Sequence, residues 1–119
     1  MARRSLSLGM RQSQWKELRI AAVRRLTEAL VRRGAQRVFL FGSLAAENDG
    51  VGPDSDVDLV VIMPDVEKVR FHRRLADVEE LQQFPYPLDL AVYSPGEWEG
   101  VRQTAFVRGE VLARGVILH

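Results

Sequence analysis

Three short apolar runs punctuate the chain: RVFLF at 37–41, DVDLVVIM at 56–63 and PLDLAVY at 87–93. Each is short and rich in β-branched, aromatic or aliphatic residues, so each predicts a strand. Asp56 opens the second run, Asp58 lies inside it, and Asp89 interrupts the third. A run that reads as core does not carry an unpaired carboxylate without cause, because burying one is very costly. The chain must therefore build a sheet that keeps these strands inside while giving the acids a partner or a ligand.

The segments between the strands set the architecture. Residues 12–33 have helical spacing, with Trp15, Leu18, Ala22, Leu26 and Ala29 or Leu30 on one apolar stripe, and Gly34 is a natural stop. Residues 47–55, ENDGVGPDS, read as a loop. Asp65 is placed to cap a helix over about 66–83, with Val69, His72 or Arg73, Leu75, Val78 and Leu81 near its inner face. Ser94-Pro95-Gly96-Glu97 is a capping box with proline at the first helical position, which predicts a helix over about 95–108, weakened or ended by Gly109. Residues 115–119, GVILH, read as a short final strand or a docked end. The expected fold class is α/β (α+β): a small mixed sheet of three or four strands with helices packed on it.

With 119 residues the chain has enough material for a single domain, 1–119, in which residues 1–11 read as a frayed basic arm. There is no cysteine, which excludes disulfides and thiolate chemistry. No apolar stretch approaches the roughly 18–20 residues of a membrane span, no signal peptide is apparent, and the reading is cytoplasmic. Net charge is +1, which is no nucleic-acid footprint. Fifteen of the 17 basic residues are arginine, which suits phosphate forks but fits genome composition or thermal adaptation equally well.

Strand alternation puts Asp56, Asp58 and Val60 on one face and Val57, Leu59 and Val61 on the other. The two carboxylates then lie about 7 Å apart along the strand. Asp89 joins them if the third strand neighbours the second. Like charges this close repel unless a cation sits between them, and Mg²⁺ takes such hard oxygen ligands, often together with substrate phosphates. Gly42-Ser43, where the first strand ends, supplies a tight turn, and Ser43 to Ala46 favour a helical turn whose N–H groups and Ser43 hydroxyl suit a triphosphate.

Together these residues resemble the minimal nucleotidyltransferases, small members of the DNA polymerase beta-like superfamily. Their pattern is a Gly-Ser turn, a spacer, Asp-x-Asp, and a later single Asp on a strand. Here that is Gly42, Ser43, Asp56, Asp58 and Asp89, and the likeness covers about residues 15–118. The resemblance implies transfer of a nucleoside monophosphate, usually AMP from ATP, with one or two Mg²⁺ ions. Asp56 and Asp58 would hold the metals and phosphates, and Asp89 would ligate the catalytic metal and help deprotonate the acceptor. It also implies a role as the antitoxin of a pair whose partner is an all-helical HEPN-type toxin, adenylylated on a tyrosine. Two departures stand out. Ala46 and Glu47 occupy positions where the family often has Arg and Gly, and the loop to Asp56 is about two residues longer than the commonest form.

Two other classes stay open at this point: a catalytically inactive module that neutralises a helical partner by contact, and transfer to a small molecule such as an aminoglycoside. A homo-oligomer is also open. Elsewhere, Asp54, Glu47 and Asp49 read as solvated loop acids, His72 as a helix-surface imidazole, and Arg70, Arg73 and Arg74 as a solvated face. Trp15 and Trp98 read as packing residues, and Tyr93 shares the Asp89 face.

Overall fold

The computed structural model describes residues 11–46 and 56–119, so the expected arm (Arg11 apart) and the 47–55 loop lie outside the described residues. Helix α1 spans Gln12–Arg33, as its periodicity predicts. The Arg11 N–H donates to the Gln14 side chain at 2.7 Å at its start. Gly34 ends it in the left-handed region, φ +114°, and Ala35 N–H returns to the Leu30 carbonyl at 2.9 Å. Ala22, Val23, Leu26, Ala29 and Leu30 are buried as expected. Leu18 is not: it is 46% exposed, while Arg19 is 1% exposed. The guanidinium of Arg19 sits 4.3 Å from the Tyr86 ring centroid, and this cation–π contact turns Arg19 rather than Leu18 inward.

Strands β1 (Arg37–Phe41), β2 (Val57–Ile62), β3 (Leu88–Tyr93) and β4 (Val116–Ile117) form one mixed sheet in the order β3-β2-β1-β4. β1 pairs antiparallel with β2 and β4, and β2 pairs parallel with β3. Both faces are covered. Val38, Leu40, Val57, Leu59 and Val61 pack with Val23, Leu26 and Leu30 of α1. Phe39, Val60 and Ile62 pack with Trp98, Val107 and Val111 on the other side. Trp98 stacks on Phe39 at a centroid distance of 5.4 Å. No helix among the described residues is long and apolar enough to cross a membrane.

The helix expected over 66–83 does not form. That stretch holds a 3₁₀ turn, Phe71–Arg73, and a single-turn helix α2, Glu79–Gln82. Asp65 and Leu75 both adopt positive φ, 64° and 65°, which no helix tolerates. The cause is Arg74, expected on a solvated face but only 7% exposed. Its Nε donates to the Val69 carbonyl at 3.0 Å, and Nη1 to the Val92 carbonyl at 2.9 Å. Nη1 and Nη2 also grip the Glu97 carboxylate at 2.6 and 3.0 Å. Arg74 thus satisfies one carbonyl of the irregular segment and one of β3, backbone turns satisfy others such as Arg70 and Leu75, and Leu75 and Val78 still reach the core. Val69, His72 and Arg73 are exposed.

The capping box at Ser94 forms as predicted, with Glu97 N–H donating to Ser94 Oγ at 3.2 Å. Helix α3 covers only Pro95–Val101, short of the expected 108. The Thr104 hydroxyl donates to the Val101 carbonyl at 2.8 Å and accepts from Val107 N–H at 3.4 Å, ending one segment and starting the next. That next segment, Val107–Ala113, is π-helical and buries Val107 and Val111. Of the two readings of the 115–119 tail, the strand forms, as β4 over Val116–Ile117 only.

The Arg74–Glu97 pair tests the irregular segment directly. Removing the arginine leaves a carboxylate and two carbonyls without their donor, so Arg74→Met should destabilise the fold by on the order of 3 kcal/mol in urea titration. The Arg74 bond holds Glu97 at about 2, below its ordinary 4.5. A depressed carboxyl stabilises the fold above 4.5, and that contribution is lost as pH falls from 4.5 through about 2. Arg74→Met should flatten stability against pH in that window.

Candidate active site

Two registers assemble the site. The parallel β2–β3 ladder puts Asp58 directly beside Asp89. The antiparallel β1–β2 ladder puts Phe41, the last residue of β1, opposite Asp58, so the chain enters the Gly42-Ser43 turn alongside that carboxylate. Asp56 stands one residue before β2, and the following Val57 N–H donates to the Pro87 carbonyl at 2.9 Å, which aligns the starts of β2 and β3. The two aspartates of these strands therefore meet at one end of the sheet. Asp58 is half-buried, while Asp56 and Asp89 are exposed.

Gly42 is required by this approach. It has φ +76°, and a Cβ there would come within 2.2 Å of Asp58 Oδ2. The turn closes with Ala45 and Ala46 N–H groups pointing to the Gly42 carbonyl at 3.2 and 3.3 Å. This is the turn expected over Ser43 to Ala46. Lys16 of α1 donates to the Ala46 carbonyl at 3.1 Å. A cation from another element thus supports the turn where Ala46 itself offers none.

Burial, then the charge of Asp89, then that of Asp56 push the Asp58 carboxyl above its ordinary value. This mutual repulsion and the hard oxygen donors fit a divalent cation. No three acids among the described residues already stand in a metal-ligating arrangement. A bound ion would draw the exposed Asp56 and Asp89 onto Asp58.

An open cleft of about 690 Å³ lies against the turn, lined by Gly42, Ser43, Ala45, Ala46, Glu110, Arg114 and Val116. Sequence reading missed Lys16, Glu110 and Arg114. Nothing local marks them, because they reach the turn from the two ends of the chain. Tyr93, which shares the Asp89 face, packs against Trp98 and Phe71 and is part of the second core.

Residues 23–114 match a family model described as a nucleotidyltransferase domain. The chain belongs to that family. Its fold is also that of a candidate nucleotidyltransferase from Sulfolobus solfataricus whose crystal structure superposes with a TM-score of 0.60. The two are 17% identical, and the match covers 92% of this chain and 86% of that one. No curated protein matched the chain. As a nucleotidyltransferase, the chain presents Gly42, Ser43, Asp58 and Asp89 on adjoining strand ends, with Asp56 exposed one residue before β2.

Two substitutions probe the crowding around Asp58. Gly42→Ala should cost at least about 1 kcal/mol, from the positive φ and the clash together. Asp58→Asn should instead raise Tm in metal-free buffer at pH 7. A raised carboxyl pKa favours folding while protonated, and that benefit is lost as pH rises through the folded value. The gain from Asp58→Asn should therefore vanish below the ordinary aspartate range, near 3.8.

Proposed function

We propose that this nucleotidyltransferase moves AMP from Mg-ATP to a hydroxyl on a protein partner, releasing pyrophosphate. The observation that carries the reading is the lateral pairing of Asp58 with Asp89 beside the Gly42-Ser43 turn. Asp56, Asp58 and Asp89 would hold Mg²⁺. When bound, the ion neutralises phosphate charge and makes the acceptor oxygen easier to deprotonate. The Ser43 and Leu44 N–H groups and the Ser43 hydroxyl would donate to phosphate oxygens and fix the α-phosphate for in-line attack. Asp89, exposed at the strand end, would accept the proton from the acceptor hydroxyl. The acceptor oxygen bonds to the α-phosphorus as the bond to the β-phosphate oxygen breaks. Such chemistry rests on positioning and electrostatics.

The acceptor is assigned by resemblance. Small nucleotidyltransferases of this pattern act as antitoxins that adenylylate a tyrosine of an all-helical HEPN-type toxin. Two features here suit a protein-borne hydroxyl: Asp56 and Asp89 are exposed, and the cleft opens at the surface. Lys16 supports the turn at Ala46, so the missing arginine does not by itself favour the contact-only alternative.

Incubation with α-labelled ATP, Mg²⁺ and a purified HEPN-type partner should label a partner tyrosine. Asp58→Asn and Asp89→Asn should each lower the rate on the order of a hundredfold or more, while remaining folded by circular dichroism. Full transfer by either variant would refute the acid-site mechanism. A stable complex with no label from wild type would replace it with neutralisation by contact.

A further inference from the structure

The cleft beside the Gly-Ser turn has a second wall, and none of the three aspartates belongs to it or to the rest of the lining. That wall is the end of the π-helical segment and the start of β4, contributing Glu110, Arg114 and Val116. Among the described residues lining the cleft, Arg114 is the sole base. The β1–β4 register pairs Leu40 with Val116 and Phe39 with Ile117. Arg114 itself is the C-cap of the π-helical segment, φ −110° and ψ −14°, two residues before β4, and it lines the same cleft as Gly42. Gly115 holds the chain there. Its N–H donates to the Val111 carbonyl at 3.0 Å. A Cβ at Gly115 would fall 2.2 Å from that carbonyl and 2.9 Å from the Leu40 carbonyl. The backbone of Arg114 is thus pinned next to the exit of β1 while its side chain is 77% exposed. Its contact with Glu110, Nη1 to Oε1 at 3.7 Å, is longer than a hydrogen bond and lies on the surface, so it is readily exchanged.

A nucleoside triphosphate brings several negative charges into this cleft. The turn meets them with neutral N–H groups and a hydroxyl, and the acids on the sheet meet only those that share a metal. Glu110, on the far wall, opposes them. We propose that Arg114 is the cation that binds the terminal phosphates of the nucleotide, leaving Glu110 to fork onto phosphate oxygens opposite the Gly42-Ser43 turn. This deepens the nucleotidyl-transfer reading and rests on it for the identity of the ligand. It makes Arg114 a substrate-binding residue that selects triphosphate over monophosphate, supplied from the C-terminal segment and not from the turn itself.

The test uses the full chain as wild type, Arg114→Ala and Arg114→Lys. Binding of ATP and AMP with Mg²⁺, and of inorganic tripolyphosphate in EDTA, is measured by calorimetry. Arg114→Ala should weaken ATP and tripolyphosphate by at least roughly tenfold and leave AMP unchanged. Arg114→Lys should fall between, since it keeps the charge but not the fork. Tm should be the same in all three, because the side chain is exposed. Unchanged ATP affinity in Arg114→Ala would overturn the assignment, as would an equal loss for AMP and ATP, or a wild type that does not bind tripolyphosphate. Failure of the transfer reading looks different: tripolyphosphate binding that depends on Arg114, in a protein that moves no label from ATP, would leave the phosphate site standing and remove only the chemistry.

Discussion

A sheet packed on both faces leaves a charged group only its ends, and this constraint organises the molecule. The middle of β2 is closed by α1 on one side and by Trp98, Val107 and Val111 on the other. A carboxylate there would lose its hydration with nothing to replace it. Asp58 sits one residue into the strand, half-buried, where the second layer stops short and Gly42 removes the side chain that would otherwise occupy its space. Parallel pairing with β3 then brings Asp89 to the same end. The repulsion that follows lifts the Asp58 carboxyl. On the proposed mechanism this local instability has a use, because the charge that destabilises the fold is the charge that would hold a cation.

The opposite solution appears at Arg74. Here a charge is taken fully inside, and its donors are almost all used: two carbonyls and both oxygens of Glu97. Glu97 has a second task, accepting from the Ser94 N–H at 2.8 Å in the capping box. One carboxylate thus joins the start of α3 to an irregular segment whose own backbone bonds are short-range turns, such as Arg73 N–H to the Arg70 carbonyl and Val78 N–H to the Leu75 carbonyl. The fork ties those turns to β3 and α3.

The legible parts were those decided locally. Helix α1 and its glycine stop, the first three strands, the capping box at Ser94 and the position of Asp58 and Asp89 on their own strands all follow from spacing within a few residues, whereas the neighbouring of those two strands does not. The failures were decided at a distance. Apolar periodicity over 66–83 is genuine, and Leu75 and Val78 are buried as it suggests. The helix is lost because Arg74 binds a carboxylate beyond β3, which no local pattern records. Leu18 yields its place to Arg19 because Tyr86, far along the chain, offers its ring face. Lys16 and Arg114 escape notice for the same reason: each becomes part of the site only after β1 has been paired and α1 laid across the sheet.

The parallel pairing of β2 with β3 has a consequence for the order in which the protein is made. Residues 58 and 89 can lie side by side only after the whole irregular segment between them has been synthesised and folded back, since parallel strands need a crossover. A ribosome-bound chain that has released β1, the turn and β2 carries the Gly-Ser motif and Asp-x-Asp in full, yet lacks the neighbouring acid. On the proposed mechanism such a nascent chain would be chemically silent. The Asp58–Asp89 pair forms only as β3 docks, so appearance of the acid pair and closure of the sheet are a single event.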